Sequence, residues 1–360
     1  MIELLAKLTA IPSVSRQEGA IADAVSAELA AAGLTVRRVG HNVWCELGDA
    51  PRPRLLLNSH LDTVPPGSAW SADPCTPRLE GERLTALGAN DAKGCLTAMI
   101  TAIGSLQRLR ATGERLGGTL LLALTAEEEI SGNGLGSVLD EIRPIDAAVV
   151  GEPTGLVPMI AQRGLLVLRG TARGRSMHPA NAVPGRSDNA IVHAARDLLA
   201  LETFDWGPPH PLLGRCHANV TRIQGGIANN VIPDACEFML DIRTTPLESH
   251  AALSARLQRA LTSELRVHSD RLAPIETAAD AAIVRAVLQV LPKTTPAGSA
   301  SMSDMVFLRD IPAVKFGPGD TARSHTPDEY ITRSELEAGA AAYEQIVRAY
   351  LRLMSQEAHP

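Results

Sequence analysis

The chain has few aromatic residues and no run of basic residues. Of its 360 residues, 3% are aromatic and 21% are charged, and the formal net charge is −6. Proteins that bind nucleic acid usually carry a clustered basic face, often with aromatic side chains that stack on bases. Arginine and lysine are scattered here without interleaved aromatics, so we expect no nucleic-acid partner.

Long apolar runs and paired cysteines are also missing. No stretch reaches the roughly 20 apolar residues that span a bilayer. The apolar N-terminal segment is interrupted by Glu3 and Lys7, and no small-residue cleavage site follows it. The five cysteines are far apart and lack CxxC spacing, which argues against a disulfide framework or a zinc ribbon. We therefore expect a cytoplasmic protein with no membrane partner.

Two kinds of hydrophobic pattern alternate along the chain and predict an α/β fold. Helical periodicity covers residues 17–33, 93–109, 189–201, 249–261, 279–291 and 334–354. Buried-strand patterns cover residues 54–60, 119–125, 147–151 and 313–316. This alternation is typical of a mostly parallel central sheet flanked by helices.

Residues 164–270 have a different pattern. Long strands are predicted at 165–173, 218–224 and 236–244, with only two helices between them. We interpret residues 164–270 as an inserted α+β domain, which leaves residues 1–163 and 271–360 to form the main domain.

Residues 58–65, with the sequence NSHLDTVP, end the first predicted buried strand with two polar side chains. Side chains two residues apart on a strand share a face, so His60 and Asp62 are expected to lie together. Imidazole is a common metal ligand, and a bound histidine usually donates its other ring N–H to a carboxylate. The alternative is a polar pair that merely ends a buried strand.

Further polar residues occur at the ends of other predicted elements. Asp91 precedes a helix, where it could cap that helix or bridge two metals. Glutamates 127–129 follow a buried strand, where three adjacent like charges are costly unless cations neutralise them, although a solvated charge run is the alternative. Glu152 ends the next strand, and His325 lies in a loop before the last helix. Open parallel sheets usually build their sites at such ends.

These groups supply two imidazoles and three carboxylates as candidate metal ligands: His60, Asp91, Glu129, Glu152 and His325. Mixed nitrogen and oxygen ligands with a shared carboxylate suit a pair of Zn²⁺, Co²⁺ or Mn²⁺ ions. The lack of a cysteine ligand argues against a purely structural zinc site.

The motifs HLDTVP, NDAKG, TAEEE, GEPT and SHTPDE, in that order, resemble the metallo-aminoacylase family that contains acetylornithine deacetylase, succinyl-diaminopimelate desuccinylase and carboxypeptidase G. The resemblance covers the whole chain and implies a zinc-peptidase-like catalytic domain with an inserted ferredoxin-like lid and dimerisation domain. It further implies hydrolysis of the amide bond of an N-acyl-L-amino acid. The length and overall sequence are most similar to the N-acetylcitrulline deacetylase variant.

Other functions remain possible for the same set of candidate ligands. N-acetylornithine deacetylase, the desuccinylase and a dipeptidase could use the same ligands, because lid residues choose the substrate. From another class of protein, a non-catalytic amino-acid binder could retain the metal site.

The resemblance assigns a role to each candidate ligand. It implies that His60 and Glu152 hold one zinc or cobalt ion, that Glu129 and His325 hold the other, and that Asp91 bridges them. It also implies a cis peptide bond after Asp91.

The same resemblance names residues that act without binding metal. Asp62 would orient His60, and Glu128 would be the general base, since the family pattern has the base immediately before the ligand. In the inserted domain His178 would donate to the carbonyl oxygen, although Met177 replaces a small residue before it. Asn229 and Arg243 would bind substrate, and the domain would form a homodimer.

Overall fold

The computed structural model describes residues 1–130, 132, 134–183 and 188–357. The chain divides into two compact units. The first comprises Met1–Ile160, Thr277–Ala297 and the segment from Ser303 onward, and the second comprises Ala161–Glu276 and Gly298–Met302.

The helices have the following bounds: α1 Ile2–Thr9, α2 Gly19–Ala31, α3 Lys93–Ala111, α4 Gly134–Ile142, α5 Ala190–Ala200, α6 His250–Ala260, α7 Ala282–Val290 and α8 Arg333–Glu357. The strands are β1 Val36–Val39, β2 Asn42–Gly48, β3 Arg54–His60, β4 Arg78–Glu80, β5 Arg83–Thr85, β6 Thr119–Thr125, β7 Ala147–Val150, β8 Met159–Gln162, β9 Gly164–Arg173, β10 His217–Gly225, β11 Ala235–Thr244, β12 Glu264–Leu272, β13 Ile275–Glu276, β14 Ala297–Ser299, β15 Ala313–Lys315 and β16 Tyr330–Thr332. Within the described ranges, no helix is both long and apolar enough to cross a membrane.

The first unit is built on a sheet whose centre is parallel. Its strand order is β1-β2-β6-β3-β7-β15-β8. Strands β6, β3, β7 and β15 run parallel to one another, whereas β1, β2 and β8 pair antiparallel at the two sides. Strands β3 and β6 are buried almost throughout, because helices cover a parallel sheet on both faces. The predicted α/β class is confirmed.

All four parallel strands end at the same edge of this sheet. Their last residues are His60, Thr125, Val150 and Lys315. Chain segments that leave this edge carry the candidate ligands, as expected for an open parallel sheet. The sheet therefore brings together residues that lie far apart in the sequence.

The second unit contains a four-stranded antiparallel sheet in the order β10-β11-β9-β12. The chain order β9-α5-β10-β11-α6-β12 is the βαββαβ arrangement of ferredoxin-like folds. Alternate residues of β9 and β11 form the core with one face of each helix, including Leu166, Leu168, Phe238 and Leu240. This topology confirms the predicted ferredoxin-like class.

Several elements carry no clear sequence pattern and were not predicted. Strand β12 is mostly exposed, so it lacks the alternation of a half-buried strand. Helices α1 and α4 are 8 and 9 residues long, which is too short for a strong helical period.

Candidate metal centre

His60 ends β3 and is only 1% exposed. Its Nδ1 lies 3.0 Å from the backbone oxygen of Asp62, so Nδ1–H donates to this carbonyl and Nε2 is the nitrogen that faces the site. Nε2 lies 3.3 Å from Oδ1 of Asp91, and a proton on Nε2 joins the two in the metal-free protein. Burial opposes protonation of the ring, but hydrogen bonds to Asp62 and Asp91 raise the pKa of His60 well above its usual range. The imidazole is thus oriented to bind a cation through Nε2.

The carboxylate of Asp91 lies between two imidazoles. Its Oδ1 is 3.3 Å from Nε2 of His60, and its Oδ2 is 3.7 Å from Nε2 of His325. It does not cap α3, whose N-cap is Ala92 with no side-chain capping bond. The Asp91–Ala92 peptide bond is cis, as the resemblance implied. One oxygen toward each imidazole is the arrangement of a bridging carboxylate.

The three glutamates after β6 point to different places. Glu127 has a left-handed backbone with a φ of 61°, and its Oε2 is 3.9 Å from Nε of the exposed Arg16. Glu129 Oε2 is 2.9 Å from Nε2 of His325. Glu128 forms a potential metal-binding group with His60 and Glu152, whose ligand atoms all lie within 4.8 Å of one another. The side chain of Glu127 therefore lies apart from those of Glu128 and Glu129.

A second potential metal-binding group overlaps the first. It consists of His60, Asp91 and Glu129, again with ligand atoms within 4.8 Å of one another. His325 joins this group through its contact with Glu129. The structure thus brings all five candidate ligands to one edge of the sheet and adds Glu128 beside them.

The electrostatics of the cluster show an excess of negative charge. Burial and the neighbouring Glu152 raise the pKa of Glu128 well above its usual range. Burial also raises the pKa of Glu152 to about 7, although Lys315 partly offsets this effect. The hydrogen bond to Glu129 raises the pKa of His325 to about 9. Carboxylates that repel one another, with imidazole nitrogens beside them, suit divalent cations such as zinc.

The buried carboxylate of Asp62 organises the loop after β6. Its Oδ1 accepts from the Glu128 backbone N–H and its Oδ2 from that of Glu129, both at 3.1 Å. Oδ2 also accepts from Oγ of Ser15 at 2.7 Å, while Oδ1 lies 3.4 Å from Nδ1 of His60. Burial opposes its ionisation, but the interactions with His60 lower the pKa of Asp62. The carboxylate of Asp62 thus contacts both the imidazole of His60 and the backbone of the two glutamates.

Three predicted site residues belong to the second unit. The exposed His178 accepts a hydrogen bond at Nδ1 from the Ala180 N–H, at 3.2 Å, which leaves Nε2 as the protonated nitrogen. Asn229 lies exposed in a turn after β10. Arg243, on β11, donates from Nε and Nη2 to the two carboxylate oxygens of Asp241 at 2.7 and 3.1 Å.

Asp304 is a buried carboxylate that the sequence did not indicate. The hydroxyl of Thr125, the last residue of β6, donates to its Oδ2 at 2.6 Å. Burial raises the pKa of Asp304 to about 6. The residue lies in a short 3₁₀ helix after the segment SAS, and neither periodicity nor a neighbouring ligand motif marks it.

Comparison with known sequences supports this reading. A profile of peptidase family M20/M25/M40 matches residues 56–349. An acetylornithine deacetylase from Myxococcus xanthus is 32% identical over 311 residues, which cover 79% of this chain and 77% of the relative. A succinyl-diaminopimelate desuccinylase from Rhodospirillum centenum is 31% identical over 383 residues, with 97% of each chain covered. The resemblance inferred from the five motifs is confirmed.

Solved structures share the fold. The aminopeptidase PepT from Bacillus cereus superposes with a TM-score of 0.80 at 21% identity, covering 97% of each chain. The YxeP protein of Bacillus subtilis, described as a dinuclear metal-binding peptidase, gives a TM-score of 0.77 at 18% identity and covers 98% of this chain and 97% of that one. At these identities the likeness concerns the fold alone.

Proposed function

Since the chain belongs to peptidase family M20/M25/M40 and is a metal-dependent amidohydrolase, we propose that it hydrolyses the amide bond of an N-acyl-L-amino acid, with N-acetyl-L-citrulline as its substrate. The observation that carries the chemistry is Asp91, which presents one carboxylate oxygen to each of two imidazoles. The choice of citrulline rests on the overall similarity of the sequence to that deacetylase variant. The products are L-citrulline and acetate.

The donor set fits two divalent ions, zinc or cobalt. His60 and Glu152 would hold one ion, Glu129 and His325 would hold the other, and Asp91 would bridge the pair. The raised pKa of Glu152 fits this assignment, because a buried carboxylate beside other carboxylates lacks a neutralising charge. When bound, such ions lower the pKa of a bound water and polarise the scissile carbonyl group.

Glu128 is the proposed general base. Its carboxylate would take the proton from the attacking water and deliver it to the leaving amine, which requires a pKa nearer neutrality than that of a free glutamate. Burial and Glu152 shift the pKa of Glu128 in this direction. Because Glu128 also groups with His60 and Glu152, metal content must be measured in any Glu128 variant.

His178 is the proposed donor to the developing oxyanion. The bond from the Ala180 N–H to Nδ1 selects the tautomer with a proton on Nε2, so Nε2–H is the group that can donate. An interaction that strengthens as charge develops on the carbonyl oxygen lowers the barrier. Whether this histidine serves its own chain or its partner can be tested by mixing His178→Ala with Glu128→Gln protein. Recovered activity in the mixed dimer requires His178 to act across the interface.

Arg243 and Asn229 are the proposed substrate-binding residues. A guanidinium can bind a carboxylate through two parallel hydrogen bonds, which suits the α-carboxylate of an amino acid. Asp241 holds the guanidinium of Arg243 in the present structure, so it would fix the direction of the side chain before substrate arrives. Asn229 supplies an amide from an exposed turn.

The second unit would form the homodimer. Within the described part of the chain, strand β10 pairs on one side only, with β11, and it exposes Val220 at 43% and Ile223 at 52%. Leu199 on α5 is 66% exposed. Unpaired strand edges and apolar surface are features that association buries. Light scattering should report a dimer for the native chain and a monomer for Ile223→Lys, with Val267→Lys on the opposite edge strand β12 as control.

The substrate assignment is tested by kcat/KM measurements on zinc- and cobalt-loaded protein. N-acetyl-L-citrulline should be preferred over N-acetyl-L-ornithine and N-succinyl-L,L-diaminopimelate. A preference for either rival would overturn the substrate while leaving the chemistry intact. Binding of these compounds without turnover would instead indicate an amino-acid binder. Glu128→Gln protein purified in parallel measures the background from contaminating hydrolases.

A further inference from the structure

Glu18 is a fully buried carboxylate, 0% exposed, that the proposed reaction does not use. It occupies the N-cap position of α2, where an acidic side chain normally accepts from N–H groups of its own helix. Its side chain makes no such capping bond. Burying a carboxylate is costly unless hydrogen bonds compensate, so its partners elsewhere explain its presence.

One oxygen of Glu18 joins two distant parts of the chain. Its Oε1 accepts from the Arg16 N–H at 2.8 Å and from the Glu127 N–H at 3.0 Å. Both donors belong to residues with left-handed backbones, with φ values of 73° and 61°. This conformation is disfavoured for residues other than glycine and needs support from its surroundings. Glu18 supplies that support immediately before Glu128.

The amides on either side of Glu127 are held in the same manner. Oδ1 of Asn42 accepts from the Ala126 N–H at 2.8 Å, and Asp62 accepts from the N–H groups of Glu128 and Glu129. Four successive backbone N–H groups thus donate to side-chain oxygens from three other segments. Among these four residues, Glu127 is the one with the left-handed backbone, so Glu18 sets the turn of the loop.

We propose that Glu18 is a positioning residue for the hydrolysis: by accepting from Glu127 N–H it fixes the direction in which Glu128 and Glu129 enter the site. The inference rests on the proposed function for the roles of those two glutamates. Glu18 acts through its bond to the Glu127 N–H, in the backbone that immediately precedes these two residues.

The second oxygen of Glu18 makes a sharp test possible. Among the residues that the structure describes, the buried Oε2 has no hydrogen-bond partner, so the amide nitrogen of a glutamine can take its place while Oε1 still accepts both bonds. Methionine has a similar length but accepts neither. Glu18→Gln should retain kcat within about threefold, whereas Glu18→Met should lower kcat about 100-fold with little change in KM, as expected for a displaced catalytic group.

The absorption spectrum of the cobalt-loaded protein provides a readout independent of turnover. The spectrum reports ligand geometry, so Glu18→Met should alter it and Glu18→Gln should leave it unchanged. If the wild-type protein hydrolyses none of the N-acyl amino acids, the proposed function fails, but this spectral comparison still tests Glu18.

Asp49 offers a matched control at the other end of β6. Its two oxygens accept from the N–H groups of Leu116 and Gly117 at 2.8 and 3.0 Å. Asp49→Ala also removes two acceptor bonds, so it should lower stability but leave kcat and the cobalt spectrum unchanged. If Glu18→Met does not fold, Glu18→Asp, which withdraws the acceptor by one methylene, takes its place under the same criteria. The proposal is overturned if Glu18→Met, or Glu18→Asp in its place, keeps the native kcat and cobalt spectrum. It is also overturned if Asp49→Ala loses as much kcat and changes the spectrum as much.

Discussion

Replacing Asp62 by asparagine should damage the metal site more than its small change in shape suggests. Both oxygens of the carboxylate accept from backbone N–H groups, one from Glu128 and one from Glu129. Asparagine has a single oxygen, so in either orientation its NH₂ group faces one of these donors. One charge-assisted bond is lost and one part-buried donor is left unsatisfied, which together cost roughly 3–5 kcal/mol.

The same substitution should also weaken metal binding. The displaced N–H groups belong to the proposed base and to a proposed ligand, and Asp62 also neighbours Nδ1 of His60. Loss of a group that orients metal ligands typically lowers affinity about 10- to 100-fold. Urea unfolding of the metal-free protein gives the loss in unfolding free energy, and competition with a chromogenic chelator gives the zinc affinity.

Asp49→Asn is the matched control, because Asp49 also accepts two successive backbone N–H groups, one through each oxygen. Its side chain is 15% exposed, so water can serve the freed donor and the loss of stability should be smaller. Zinc affinity should not change. The reasoning is refuted if Asp62→Asn binds zinc with wild-type affinity, or if the control loses zinc affinity to the same extent.

Three further outcomes are expected. Glu128→Gln should keep its fold and both ions but lose about 10²- to 10⁴-fold in kcat, as expected for a general base. If metal analysis shows that the variant has lost an ion, Glu128 is a ligand instead. Arg243→Lys should raise KM about tenfold with little change in kcat, because it removes a bidentate contact made to substrate and transition state alike. A fall in kcat with an unchanged KM would contradict a substrate-binding role for Arg243. In the metal-free protein, burial raises the pKa of Glu329 to about 9 from an ordinary 4.5, so the native state binds a proton that the unfolded state has released between those values. The free energy of unfolding should therefore fall as pH rises across that window, by at most about 1.4 kcal/mol per pH unit. Urea unfolding at a series of pH values should show a flatter pH dependence for Glu329→Gln. An unchanged pH dependence in this variant would contradict the raised pKa of Glu329.

Much of the first unit follows from its sequence because its central strands are strongly apolar. The bounds of β3 and β6 are those that the buried-strand patterns predict. Since parallel strands end at a common edge, the polar residues after them were expected to meet there. His60, Glu152 and His325 could be selected as candidates in this way, and Asp91 could be selected from its place just before α3.

The arrangement within the glutamate triplet could not be derived from hydrophobic pattern. The direction of each side chain depends on the left-handed backbone at Glu127, which Glu18 stabilises from 109 residues away. Asp304 and Asn42 were not predicted for the same reason. Their hydrogen-bond partners are distant in the sequence, so no local pattern indicates these contacts. The pairing of Arg243 with Asp241 was likewise not predicted from the sequence, although the two residues share a strand face.

The anchored loop from Ala126 to Glu129 has a consequence for how the protein acquires metal. Its amides are already bonded to Asn42, Glu18 and Asp62, so its conformational entropy is lost when the chain folds rather than when an ion arrives. Uptake should thus proceed without a slow ordering step, with rates governed by ion dehydration. Amide hydrogen exchange at these residues should be equally slow before and after metal loading.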